Sequence, residues 1–364
     1  MLINVSDPIF QTAVFSILFF VAIFVTVRRR HVDFEISVSL SNELKGVAIL
    51  MIILAHTGYA LSVNTRFLFP LSIFAGVGVN LFLFLSGFGL TKSALKTKLP
   101  CLKFYKKRFT NIYLPMWIVV SILLILDLVL LNRTYPLSEI INSYFGYFPV
   151  ADIYTNLNSP LWYFSFIVFY YLIFPLLFSR KFPLLSIAVV ILISLFVVKL
   201  TLPVSPDVLN LYKLHTIAFP LGMLFAVYSS KIVDIINNLK PLVRFLMILT
   251  LTYIFVYTAI NSGVGKGIMT EQKLSLITTS ALVLIFILKK FQSRFLILIG
   301  IYSYEIYLIQ WPIMYRHDFL YKFLPASLAT FAYILSFIFL AYLLKKIEKT
   351  IHFVVKFLAR SRLI

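Results

Sequence analysis

A chain of 364 residues that is 61% hydrophobic and only 13% charged has too little polar surface to face water. Soluble domains are roughly 45–50% apolar and about 25% charged, and a disordered chain would be poorer still in apolar residues. The 33 basic residues outnumber the 13 acidic ones. In so apolar a chain this excess fits the Lys and Arg of cytoplasmic loops better than a nucleic-acid surface. The single cysteine, Cys101, excludes an internal disulfide and a cysteine metal cluster. Five histidines with no paired metal-binding spacing argue against a metal site.

At the N-terminus Asp7 precedes an apolar run and Arg28, Arg29 and Arg30 follow it. A cleaved signal peptide carries its charges in the opposite order, so this run is expected to remain as a first helix with its N-terminus outside. About 20 apolar residues cross a bilayer. The segments of that kind are 8–27, 46–65, 68–90, 111–131, 161–178, 182–200, 211–229, 243–260, 273–288, 295–315 and 324–344. The chain therefore reads as an all-α polytopic membrane protein with about 11 transmembrane helices. Most basic residues, among them Lys45, Lys92, Lys98, Arg108, Arg180, Lys289 and Lys345, then fall on one side, with the C-terminus cytoplasmic. The ninth and tenth segments are the weakest. The ninth is short, and the tenth carries Tyr302, Ser303, Tyr304, Glu305 and Gln310.

The second segment runs from Lys45 to His56, eleven residues on. Eleven helical steps rise about 16 Å and turn roughly 1100°, which puts both side chains on one face. A cation at the cytoplasmic mouth and an imidazole near mid-membrane would line one track. The alternative is a structural His bonded to a neighbouring helix, with Lys45 reaching back to the interface. His56 is the one His that these boundaries place well inside a span. The third segment, Gly76-Val77-Gly78-Val79-Asn80-Leu81-Phe82-Leu83-Phe84-Leu85-Ser86-Gly87-Phe88-Gly89, has small residues for close helix packing and Asn80 and Ser86 as polar contacts. A basic loop, 91–110, follows. The outer loop 132–160 offers Tyr144, Phe145, Tyr147, Phe148 and Tyr154, either as sugar-stacking rings or as an interfacial belt.

These stretches, in this order, resemble the membrane acyltransferase-3 family of acyl-CoA-dependent sugar O-acyltransferases. That family has an Arg, ten residues and a His, where this chain has Lys45 and His56. Its Gly-Val-Asp-Leu-Phe-Phe-x-x-Ser-Gly-Phe pattern is matched by residues 78–88, with Asn80 for the Asp. Its Arg-x-x-Arg is matched by Arg108 and Asn111, and its Leu-Trp-Tyr helix by Leu161, Trp162 and Tyr163. Its late Ser-Tyr-x-x-Tyr-Leu-x-His-x-Pro is matched by residues 303–312, with Gln310 for the His. A Glu found in many members aligns with Ile167. The likeness spans residues 40–345. It implies a ten-helix core, an extra N-terminal helix and basic linker at 1–39, and a basic tail at 346–364.

The resemblance further implies a multi-pass protein of the bacterial inner membrane that needs no permanently bound cofactor and no nucleic acid. Acetyl-CoA or another acyl-CoA would be the co-substrate, and a glycan or lipid-linked sugar the acceptor. Lys45 and Arg108 are expected to bind donor phosphates and His56 to act on the acyl transfer. Asn80, Ser86, Asn111, Trp162, Tyr163, Tyr304, Glu305 and Gln310 are expected to line the pocket. A transporter or flippase for a lipid-linked saccharide is the alternative.

Overall fold

In a bilayer each backbone N–H and C=O must find its partner within the chain, and an apolar run does so as a helix. The computed structural model describes residues 3–30, 36–62, 66–97, 100–152, 155–262 and 266–361. Lys98, Tyr154 and the last residues of the basic tail, 362–364, lie outside the described residues, as do residues 63–65 at the end of the second expected span. In chain order the elements are α1 (Pro8–Val25), β1 (Val27–Arg29), α2 (Val38–Tyr59), α3 (Ala75–Lys96), α4 (Cys101–Leu131), α5 (Leu137–Phe145) and α6 (Trp162–Leu177). They continue with α7 (Pro183–Val197), α8 (Pro206–His215), α9 (Ala218–Asn237), α10 (Pro241–Asn261), α11 (Ile268–Leu288), β2 (Phe291–Ser293), α12 (Arg294–Ile301), α13 (Ser303–Tyr315) and α14 (Ala326–Ser361). The fold is all-α apart from the short antiparallel pair β1–β2, which ties the end of α1 to the start of α12.

Each expected span overlaps a helix among the described residues. Among the described residues nine helices are long and apolar enough to cross a membrane, and the α12–α13 pair, bent by 78°, makes a tenth. The remaining segment, α7, is apolar but has 15 residues. That is about 22 Å of helix, short of the roughly 30 Å hydrocarbon core. It nonetheless joins the two ends of the bundle. Arg180, just before it, donates to the Leu95 carbonyl near the end of α3, and Pro203, just after it, accepts from the Tyr147 hydroxyl.

Contacts of this kind sort the basic residues to one end. Lys289 pairs with Glu43 at 2.8 Å, Lys345 with Glu305 at 3.2 Å, and Lys92 donates to Ser229. The opposite end holds the first described residues, where Ile3 donates to the Ala60 carbonyl. It also holds a buried cluster in which Asp127 receives Arg316 at 2.9 Å, His317 at 2.7 Å and the Tyr135 hydroxyl. Burial first, and then this carboxylate, push the Tyr135 phenol well above its ordinary range. The cluster pins the loop after α4 to the end of α13.

Several boundaries differ from the sequence reading. The third span begins at Ala75 rather than 68 and the fourth at Cys101 rather than 111, so most of the expected basic loop 91–110 is the end of α3 and the start of α4. The second helix begins at Val38 rather than near 46, capped by the Ser37 hydroxyl, which accepts from Leu40 N–H. Its polar first turns look like loop in the sequence because their partners are distant. Glu43 is fully buried, bound to Lys289 and to the Ser293 N–H. The tenth span is not one straight helix but α12 and α13, broken at Tyr302.

Glycines set the closest helix approaches. Gly46 and Gly300 let α2 and α12 touch, and a Cβ on Gly300 would stand 1.7 Å from the Asn42 carbonyl oxygen. Gly87 and Gly222 do the same for α3 and α9, where a Cβ on Gly222 would lie 2.0 Å from the Phe84 oxygen. Of the small residues expected to pack α3, Gly78 and Gly87 do so, whereas Gly89 has open space beside it.

Candidate active site

Two cavities lie back to back inside the bundle. The first, about 270 Å³, is walled by His56 and Tyr59 of α2, Trp162 and Tyr163 of α6, His215 of α8 and Glu271 of α11. The second, about 470 Å³, lies toward the basic end. Lys45, Arg108 and Lys345 bring cations to it, Glu305 and Glu348 carboxylates, and Ser86, Asn111 and Tyr304 neutral polar groups. Phe82, Tyr163 and Tyr307 line both cavities and so form the partition between them. Tyr307 is anchored by its hydroxyl to the Pro160 carbonyl at 2.6 Å, with the Tyr163 ring 5.6 Å away, edge to face.

The shared face of Lys45 and His56 is thus realised on α2, but the two side chains open into adjoining cavities rather than one continuous track. The His56 ring packs edge-on to Trp311 at 5.1 Å. Its Nδ1 lies within 3.0 Å of both amide atoms of Gln310. The amide can therefore serve either tautomer. With the Gln310 oxygen toward Nδ1–H, the Nε2 lone pair is left for chemistry; with the nitrogen toward Nδ1, Nε2 carries the proton. Gln310 is fully buried and sits behind His56 as its orienting partner.

On the basic side Arg108 lies over the Tyr171 ring at 5.1 Å and the Phe104 ring at 5.6 Å. The Ser86 and Tyr171 hydroxyls meet at 3.2 Å, and Tyr304 donates to the Ile112 carbonyl. Glu305 binds Lys345 through one oxygen, while its other oxygen is buried without a hydrogen-bond partner. Ile167, aligned with the Glu of many relatives, gives this cavity an apolar wall. Lys106 and Lys107, expected on a loop, lie on the first turns of α4 and are exposed.

Asn80 does not line either cavity. It is buried behind His215, with Oδ1 at 2.8 Å from His215 Nδ1 and Nδ2 at 3.1 Å from Ser275 Oγ. His215 is the functional candidate the sequence reading passed over. It ends α8 at the joint with α9, where the Tyr170 hydroxyl binds the Thr216 carbonyl at 2.6 Å. The available signal was its place inside the apolar segment 211–229, since an ionisable group there is a functional candidate by default. Glu271 and Lys345 were missed for another reason: Glu271 is in the first turn of α11 and Lys345 just past the apolar segment 324–344, so each reads in sequence as ordinary interfacial charge. Of the outer-loop aromatics, Phe148 is buried against Phe164, Tyr144 bonds Ser121 and Tyr147 bonds Pro203, whereas Phe145 is exposed.

An all-helical bundle with an intramembrane His above a basic cavity defines a class: a multi-pass membrane protein with a site for chemistry or transport within the bilayer. The acyltransferase-3 family model, described as an acyltransferase domain, matches residues 42–346. The chain belongs to this family and is a membrane acyltransferase. No curated protein and no solved structure matches it.

Proposed function

We propose that this acyltransferase takes an acetyl group from acetyl-CoA at the basic end of the bundle and transfers it to a hydroxyl of a surface polysaccharide or lipid-linked sugar reached from the other end. The observation that carries this reading is the pair of cavities sharing one aromatic partition, cationic on one side and bearing His56 on the other. The basic end is cytoplasmic under the positive-inside rule, which puts the N-terminus outside and the C-terminus inside.

Phosphates of the donor bind Lys45 and Arg108, where charge-assisted contacts are strongest. The thioester passes between Phe82, Tyr163 and Tyr307 toward His56. His56 Nε2 removes the proton of the acceptor hydroxyl as its oxygen bonds to the thioester carbonyl carbon. The carbon–sulfur bond then breaks, the thiolate of CoA leaves, and the proton held by His56 returns to it. Gln310, with its oxygen on Nδ1–H, holds the ring in the tautomer this step needs.

Lys45→Ala and Arg108→Ala should each raise the KM for acetyl-CoA by about 10- to 100-fold, since each removes a charge-assisted contact of roughly 1.5–3 kcal/mol. Lys45→Arg should retain most activity, because it restores the residue found in relatives. Steady-state kinetics on purified protein in nanodiscs measures this. Wild-type donor KM in both alanine variants would remove Lys45 and Arg108 from the donor site.

A further inference from the structure

We infer that His215 is a second recognition group of the His56 cavity, one that accepts a hydrogen bond from a neighbouring hydroxyl of the acceptor. The inference rests on the acyl-transfer reading and narrows its acceptors to those bearing a second hydroxyl beside the one acylated.

The argument is one of hydrogen-bond direction. Ser275 Oγ lies 3.1 Å from the Gln272 carbonyl and 3.1 Å from Asn80 Nδ2. In the structure the Ser275 hydroxyl donates to Gln272 and its lone pair receives the Asn80 amide. The amide Oδ1 faces His215 Nδ1, at 2.8 Å. An amide oxygen only accepts, so Nδ1 carries the proton. The Nε2 of His215 is therefore a lone pair and nothing else.

No group among the described residues donates to that lone pair. Trp162 stacks on the ring at 5.8 Å with its plane 18° from parallel, which holds the imidazole edge-on to the cavity. Gly76, opposite the Cε1 atom, leaves that edge uncovered: even an added Cβ would stand 3.7 Å away. His215 lines the cavity, so the hydroxyl of a bound polyol can donate to that lone pair. Both imidazoles line the same cavity, each with Nδ1 tied to a side-chain amide, Gln310 for His56 and Asn80 for His215.

Asn80 follows from the same logic. An Asp there would accept from both Ser275 and His215, and its carboxylate would favour the doubly protonated ring, which has no lone pair to offer. Asn80→Asp is therefore a second disruption of the site that leaves the His215 ring in place.

The test uses the full-length chain in nanodiscs, acetyl-CoA as donor, and surface polysaccharide prepared from cells lacking the chain as acceptor. His215→Phe and Asn80→Asp should each raise the acceptor KM about tenfold, the equivalent of about 1.4 kcal/mol, with the donor KM unmoved. A folded His215→Phe protein with wild-type acceptor KM overturns the inference. So do variants that raise donor and acceptor KM together, which marks a structural role. If His215→Phe fails to fold, the Asn80→Asp kinetics decide on the same terms. Wild-type protein that transfers nothing to this acceptor overturns the acyl-transfer reading, and the inference with it.

Discussion

His56→Ala should reach the membrane in normal amount and lose acetyl transfer almost completely. Removal of a general base alone costs roughly 10²–10⁴-fold in rate. The ring lines a cavity and makes one side-chain hydrogen bond, to Gln310, so its loss leaves little packing undone. His56→Gln should fail as badly: it keeps a polar side chain of similar reach but cannot hold a proton at neutral pH. The assay is acetylation of surface polysaccharide, with membrane abundance of each variant followed by immunoblot. Near-normal transfer by His56→Gln would make the imidazole a structural group and remove it from the reaction.

Gly300→Val and Gly222→Val should destabilise the bundle by about 3 kcal/mol or more, the upper range for overpacking. At each position the first added carbon meets backbone rather than a movable side chain. The clash is with the Asn42 carbonyl in one case and the Phe84 carbonyl in the other, at 1.7 and 2.0 Å. Relief requires α2 and α12, or α3 and α9, to separate. Gly89→Ala has open space around its new carbon and serves as the control. Thermal unfolding followed by size-exclusion in detergent should show both valine variants melting far below wild type, and the control unchanged. A wild-type melting point for Gly300→Val would mean that the close approach of α2 and α12 does not support the fold.

What the sequence disclosed was set by distance along the chain. Apolar runs are local, and each one marks a helix. The Lys45–His56 spacing is local too, and it places both side chains on α2. The beginning of α2 is not local: Ser39, Asn42 and Glu43 look like loop until Gln292, Gly300, and Lys289 with Ser293, far along the chain, come to lie against them in turn. The break at Tyr302 has the same origin, since Gly300 must lie against Asn42 and α12 then crosses α2 before α13 can turn along the bundle. The site divides likewise. Lys45, Arg108, Tyr304 and Glu305 meet in one cavity through helices far apart in sequence. Asn80 carried a recognisable motif position, yet its partner, His215, lies 135 residues away on a helix with no motif. Gln310 matched a motif His, and only the fold shows that it touches His56.

Sidedness of transfer tests the central claim most directly. Membrane vesicles of opposite orientation, each containing acceptor polysaccharide, are given membrane-impermeant radiolabelled acetyl-CoA on the outside. Inside-out vesicles, which in the proposed orientation expose Lys45 and Arg108, should label the enclosed polysaccharide, and right-side-out vesicles should not until they are made permeable. His56→Ala vesicles should stay unlabelled in either orientation. Labelling by intact right-side-out vesicles would contradict a donor site at the basic end and, with it, the passage of the acyl group between the two cavities.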